Sequence, residues 1–156
     1  MSPTKSGRLT DADRTTLTTV LDRLIPAVDD LPGAGKMGLA KEIERRARRN
    51  NRLRGALIAV MDALSLDLSA HAAGGYNALE PEVQIESIQE IERSIPDKFT
   101  LFLQLVYTVY YMDKTVLERI GWTTGPVQPA GFDVEPFDEA ILVNARQREP
   151  FWRKTE

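Results

Sequence analysis

The sequence predicts an all-α protein: a compact bundle of about five to six helices around a central apolar helix at 96–112, followed by an extended C-terminal arm. Three features carry this reading. Amphipathic stretches with helical spacing and recognisable caps recur from Thr10 to Gly121. The segment Pro96–Met112 has no charge between Lys98 and Asp113, and apolar or aromatic side chains fall on every face. Beyond Gly121, prolines at 126, 129, 136 and 150 interrupt any regular pattern.

A helix that is apolar all round belongs in a protein core or a membrane. Only 14 residues separate Lys98 from Asp113, whereas crossing a bilayer takes roughly 20, so the core is expected and direct membrane insertion is not. Pro96 suits a first helical position and Asp97 suits the positive end of the helix dipole. Leu103, near its middle, is expected to be buried, with Leu103→Ala costing about 2–5 kcal/mol.

The other elements follow in order. Thr10-Asp11-Ala12-Asp13 opens a helix with Thr10 as cap; Leu17, Val20, Leu21, Leu24 and Ile25 form its inner face, and Pro26 ends it. Asp29–Gly35 is a turn-rich connector. Its Gly35-Lys36 pair lacks the upstream glycine and following Ser or Thr of a phosphate loop, with Asp30 and Met37 in those places. Residues 38–49 form a short basic helix, and Lys41, Arg45, Arg46, Arg48, Arg49, Arg52 and Arg54 make a dense cluster. No aromatic interleaves these arginines, and Glu42 and Glu44 lie within pairing distance on the same helix, so a solvated, internally paired face is favoured over a nucleic-acid patch. A partner with an acidic surface is the intermediate case.

A third helix presents Leu53, Leu57, Met61, Leu64 and Leu68 inward and ends near His71–Gly75. His71, the single histidine, has no partners at metal-ligand or nucleophile spacing. Glu80-Pro81-Glu82 opens a fourth helix with Ile85, Ile88, Ile91 and Ile95 inward. Tyr107, Tyr110 and Tyr111 close the central helix as amphipathic packing with hydroxyls at a surface. Asp113 caps a last short helix with Val116, Leu117 and Ile120 inward and Gly121 closing it.

At 156 residues, 42% hydrophobic and 28% charged, the chain has the make-up of one globular domain. Its formal net charge of −3 gives no global attraction to nucleic acid or anionic lipid. With no cysteine there is neither disulfide nor thiolate metal site. The opening residues show no apolar leader segment and no twin arginine. The chain as it stands is therefore expected in the cytoplasm, or in the periplasm if a leader has been removed or the protein leaves the cell with a partner.

The expected organisation is a flexible N-terminus at 1–9, a helical domain at 10–121 and an extended partner-binding arm at 122–156, with a short helix allowed at 138–148 (Ala140, Ile141, Leu142 and Val143 inside). The 36 residues from Gly121 hold Trp122, Phe132, Phe137, Phe151 and Trp152, 5 of the 11 aromatics in the chain. Disordered segments are poor in aromatics because they have nothing to pack them on. This arm therefore needs a surface, either its own bundle or another protein. Fully extended it reaches roughly 120 Å, enough to embrace a larger partner. Proline and aromatic anchors gain contact area at low ordering cost, which favours the partner.

Several stretches in fixed order are similar to the gluconate 2-dehydrogenase subunit 3 family. They are Leu24-Ile25-Pro26-Ala27 followed by Leu31-Pro32-Gly33-Ala34, the Phe99 to Leu103 helix ending in Tyr110-Tyr111-Met112-Asp113, Leu117 to Gly121, and Pro129-Ala130-Gly131-Phe132. The Leu142–Arg148 stretch and the closing Phe151-Trp152-Arg153 resemble a sugar-oxidising branch, which adds Arg153 to the candidate partner-binding residues. The resemblance implies a noncatalytic helical subunit that binds, stabilises and helps mature a large flavoprotein dehydrogenase of the glucose–methanol–choline type. FAD would then sit in that partner and none in this chain, and electrons would pass to an acceptor such as a cytochrome c subunit. It transfers no catalytic, cofactor-binding or metal-binding residue. The twin-arginine leader and the cysteines seen in some relatives are absent here.

Two other functions compete with this one. A stand-alone enzyme would need convergent titratable groups, and the acids here are scattered on solvent faces. A helical regulator would use the arginine cluster at 45–54 to bind an acidic partner or nucleic acid.

Overall fold

The computed structural model describes residues 9–122, 131 and 135–149, and their contacts divide into two units, one before residue 124 and one after. Among the described residues there are eight α-helices and no strand beyond a single antiparallel bridge between Val28 and Leu31.

In the first unit, α1 (Asp11–Leu24) starts with a capping box. The Thr10 hydroxyl accepts from the Asp13 N–H at 3.1 Å, and the Asp13 carboxylate accepts from the Thr10 N–H at 2.8 Å. Two orphan amides of the first turn are thus satisfied. Leu17, Val20 and Leu21 are buried. The helix stops at Leu24 because Pro26 disfavours helical backbone at Ile25.

The connector after α1 folds onto one side chain. Asp22 Oδ1 accepts from the N–H groups of Gly35 (2.9 Å) and Lys36 (3.1 Å). A Cβ at Gly35 would strike the Thr18 carbonyl and the Asp22 carboxyl group, and one at Gly33 would strike Asp22 Oδ1. These glycines serve close packing against α1. The backbone amides that a phosphate would need are already held by a carboxylate.

α2 (Ala40–Arg49) buries Ala40, Ile43 and Ala47. Asn50 ends it and at once caps α3 (Asn51–Leu66), its side chain accepting from Arg52 and Leu53 N–H. The third helix is shorter than expected. Asp67 is extended, accepts from Ala70 N–H at 2.8 Å and starts a separate α4 (Leu68–Ala73). That break rotates the register, so Leu68 is exposed instead of continuing the inner stripe. Gly74, at φ +88°, closes α4, and a 3-10 turn follows at Tyr76–Ala78.

α5 (Pro81–Ser94) differs from expectation on its inner face. Ile88 and Ile91 are buried, but Ile85 faces out and Gln84 and Ser87 face in. Gln84 is accommodated because its polar atoms are paired. Its Nε2 donates to the carbonyls of Tyr76 (3.2 Å) and Leu79 (3.0 Å), and its Oε1 accepts from Arg23 Nε at 2.7 Å. The Tyr76 hydroxyl donates to the Gln84 carbonyl at 3.0 Å, and burial pushes its phenol pKa up, keeping the proton in place.

α6 (Pro96–Tyr111) is the hub: it packs most extensively on α3 and also against α2, α5 and α7. Phe99, Phe102, Leu105, Val106 and Val109 are buried, with the Phe99 and Phe102 rings 6.2 Å apart. It is not covered all round, however. Thr100, Gln104, Tyr107, Thr108 and Tyr111 lie along an exposed face, and Leu103 is only half-buried. Phe102, with 0% exposure, holds the place expected for Leu103. α7 (Lys114–Arg119) is capped by Asp113, buries Val116 and leaves Ile120 exposed, because Ile120 is already the residue at which the helix unwinds.

In the second unit the described helix is short. Asp138 accepts from Ala140 N–H at 2.8 Å, a 3-10 turn covers Glu139–Leu142, and α8 spans Val143–Arg146. Arg146 pairs with Glu139 at 2.9 Å. Ala140, Ile141 and Val143 are exposed and Leu142 is half-buried, which corrects the expectation that all four lie inside. A turn this short has no continuous inner face.

Phe102→Ala is expected to cost about 3–5 kcal/mol and Leu103→Ala less than half as much, read as midpoint shifts in urea unfolding. Gly35→Ala is expected to destabilise by about 1–3 kcal/mol through overpacking. Gly38→Ala, at φ +76° with open space around it, should lose about 1 kcal/mol from backbone strain alone. Equal losses at the two glycines would contradict close packing against Asp22.

Candidate partner-binding surface

The C-terminal end of α6 and the exit from α7 carry most of the exposed large apolar groups of the first unit. Tyr107 and Tyr111, one helical turn apart, have ring centroids separated by 6.5 Å, and Tyr110 meets Tyr111 edge-on at 5.2 Å. Tyr110 is half-buried; burial first, then Tyr111 and Asp113, raise its phenol pKa, so it stays a neutral packing group. Tyr111 and Met112 are more than half exposed.

The exit from α7 has a defined geometry. Gly121 at φ +73° donates to the Glu118 carbonyl at 3.1 Å, and Trp122 N–H donates to the Leu117 carbonyl at 2.8 Å. This is the Schellman arrangement, and its left-handed residue is the reason for glycine at 121. Beside it, Ile120 is 57% and Trp122 61% exposed. α7 is six residues long, roughly 9 Å, so these groups and the Tyr111–Met112 pair lie at the opposite ends of one small element. Arg119 anchors that element to the connector through Asp29 (3.2 Å) and Asp30 (3.0 Å).

Of the residues expected to contact a partner, Trp122 stands exposed at the end of the first unit and Phe137 is 64% exposed in the second. Phe132, Phe151, Trp152 and Arg153 lie outside the described residues. Tyr107 and Tyr111 were expected as packing groups with only their hydroxyls at a surface, Ile120 was expected inward, and Met112 was not singled out. The available signal was Gln104 and Thr108, which mark a polar face on an otherwise apolar helix.

Three members of the basic cluster, Arg45, Arg46 and Arg48, are paired with acids of their own helix. Glu42 accepts from Arg45 and Arg46, the latter at 2.7 Å, and Glu44 accepts from Arg14 at 2.9 Å and from Arg48. Glu44 is itself buried, so Arg14 ties α1 to α2 through it. Hydrogen bonds from Arg45 and Arg46 lower the Glu42 pKa to about 2, and Arg14 and then Arg48 lower that of Glu44. Arg49, Arg52 and Arg54 make no ion pair among the described residues.

His71 is exposed on α4, at the rim of a groove of about 760 Å³ that also touches Asp13, Thr16, Tyr76 and Asn77. Asp13 there is committed to the α1 cap and the Tyr76 hydroxyl to a backbone carbonyl. Among the described residues no group of three His, Asp or Glu side chains could hold a metal ion, and no helix is long and apolar enough to cross a membrane.

The folded pKa values of Glu42 and Glu44 lie below their unfolded values. The stability they add is therefore present above about pH 4.5 and is lost as pH falls through their lowered values, which for Glu42 is about 2. Glu44→Gln should cost about 1–3 kcal/mol at pH 7, and the gap to the unsubstituted chain should narrow steadily as thermal unfolding is followed down to acid pH. A gap independent of pH would show that the Arg14–Glu44–Arg48 pairing does not stabilise the fold.

A family model described as gluconate 2-dehydrogenase subunit 3 matches residues 11–126. The match takes in the whole helical bundle, the Leu31–Gly35 connector held by Asp22, and the exit through Gly121 to Trp122. Neither a curated protein nor a solved structure matches the chain. With most of its length matched, the chain belongs to the gluconate 2-dehydrogenase subunit 3 family.

Proposed function

We propose that this chain is the noncatalytic small subunit of a large FAD-dependent dehydrogenase of the glucose–methanol–choline type, which it binds, stabilises and helps mature. The observation that carries the reading is the exposed apolar set Tyr107, Tyr111, Met112, Ile120 and Trp122 on a bundle whose core is already complete. Large exposed aromatic and Met side chains flanking one short helix are typical of a surface that another protein covers. Family membership supplies the kind of assembly, a dehydrogenase complex. In this reading the FAD and the oxidation of a sugar or other alcohol belong to the large subunit. Electrons leave through a separate acceptor such as a cytochrome c subunit, and the pair is either retained in the cytoplasm or exported together.

The C-terminal arm contributes the remaining contacts. Trp122 marks where it leaves the bundle, and Phe132, Phe137, Phe151, Trp152 and Arg153 are its proposed anchors.

Co-expression with the large flavoprotein subunit, followed by purification through a tag on either chain, tests this. The two should co-elute with FAD bound. Deleting residues 122–156 should abolish the complex and leave the large subunit insoluble. Trp122→Ala should weaken the complex by about 1–3 kcal/mol. A large subunit that folds, loads FAD and turns over equally well alone would overturn the proposal.

A further inference from the structure

A second groove, of about 450 Å³, opens between α2, the start of α3 and the exposed face of α6. Its lining joins two kinds of chemistry. Arg45, Arg46 and Arg49 stand along one side, and Leu53 and Leu105 supply an apolar part, with Gln104 opposite the arginines on α6. Arg45 and Arg46 share the single carboxylate Glu42, and Arg49 has no carboxylate partner among the described residues. The groove therefore carries an excess of positive charge in a chain whose formal net charge is −3.

We propose that this groove docks an acidic segment of the large flavoprotein subunit, with a carboxylate against the arginines and an adjacent apolar side chain over the half-buried Leu53. The inference rests on the accessory-subunit reading and adds a second contact to it, on the bundle itself. Guanidinium groups are suited to bidentate carboxylate recognition, and an arginine beside an apolar floor is a common composition for the centre of a protein interface. The groove is also continuous with the surface described above, because Arg46 donates to the Met112 sulfur at 3.3 Å. A partner lying on Tyr111 and Met112 reaches it without a gap. A nucleic-acid backbone would satisfy the arginines and leave the half-buried Leu53 without a complement, and the net charge of the chain opposes a polyanion at long range.

The test uses the full chain and the co-expressed large subunit. The double variant Arg49→Glu with Gln104→Glu reverses the groove's charge at two solvent-exposed positions and leaves the Glu42 and Glu44 pairs intact. It should keep the helical circular dichroism and melting temperature of the unsubstituted chain while binding the large subunit at least about tenfold more weakly. Binding of the unsubstituted chain should weaken between about 0.05 and about 0.5 M NaCl. The chain has no cysteine, so Gln104→Cys provides a unique attachment point for a photo-crosslinker. The peptide it captures should contain Asp or Glu beside an apolar residue.

Unchanged affinity of the folded double variant would overturn this docking site while leaving the accessory role standing. So would a captured peptide without acids, or tighter binding to a 20-nucleotide DNA than to the large subunit. Failure of the unsubstituted chain to pair with the large subunit would overturn the accessory role, and the docking site with it.

Discussion

The constraint on which the bundle depends is the burial of one side of α6 against α3. Phe102, Leu105, Val106 and Val109 cannot be left in water, and each large apolar side chain removed from it contributes about 1.5–3 kcal/mol. A whole domain of this kind is stable by only about 5–15 kcal/mol, so a handful of these contacts decides whether it folds. α2, α5 and α7 are positioned by reference to this pair, since each packs on α6. What α3, α2, α5 and α7 leave uncovered is a single strip of α6, and both candidate surfaces of the first unit border that strip.

Around this core the polar contacts act as fasteners at places where helices would otherwise slide. Asp22 holds the Gly35 and Lys36 amides, which folds the connector back onto α1. Glu44 takes Arg14 and Arg48, which joins α1 to α2. Gln84 bonds Arg23 and the Tyr76 and Leu79 carbonyls, which seals α5 against α1 and the 3-10 turn. Each is a polar group taken out of water with its partners supplied, so its removal leaves those partners unsatisfied and the loss exceeds one hydrogen bond. The residues of all three fasteners fall within the stretch 11–126 that the family model matches.

The functional logic is a division between closed and open surfaces. The core is satisfied, and among the described residues no buried side-chain nitrogen or oxygen lacks a partner. What remains unsatisfied is outward: tyrosines and Met112 at the end of α6, Trp122 after the Schellman turn, and arginines in excess of nearby acids. The two hydrogen bonds of the Schellman turn at Gly121 fix the backbone that carries Trp122. An anchor presented in a fixed direction loses less freedom on binding than one on a loose chain, which suits a subunit whose proposed task is to hold a larger partner.

Much of the fold was legible in the residues. Thr10, Pro81, Pro96 and Asp113 act locally, through caps and fixed dihedral angles, so helix starts could be read within a few positions. The uncharged run from Phe99 to Met112 identified the hub because only a core accepts so many apolar groups on one short helix. The candidate surface was partly legible: Trp122 stood out as one of the aromatics concentrated beyond Gly121, and Glu42 and Glu44 as near neighbours of the arginines. The side of a helix that faces its neighbour was a different matter. Phe102 instead of Leu103, Gln84 instead of Ile85, the break at Asp67 that exposes Leu68, and the bond from Asp22 to Gly35 all depend on groups brought together from distant positions. Short-range chemistry determined where the helices begin and what they are made of. The three-dimensional packing alone decided which side chains were covered and which were left for a partner, because burial is a property of neighbours that the chain supplies only once it has folded.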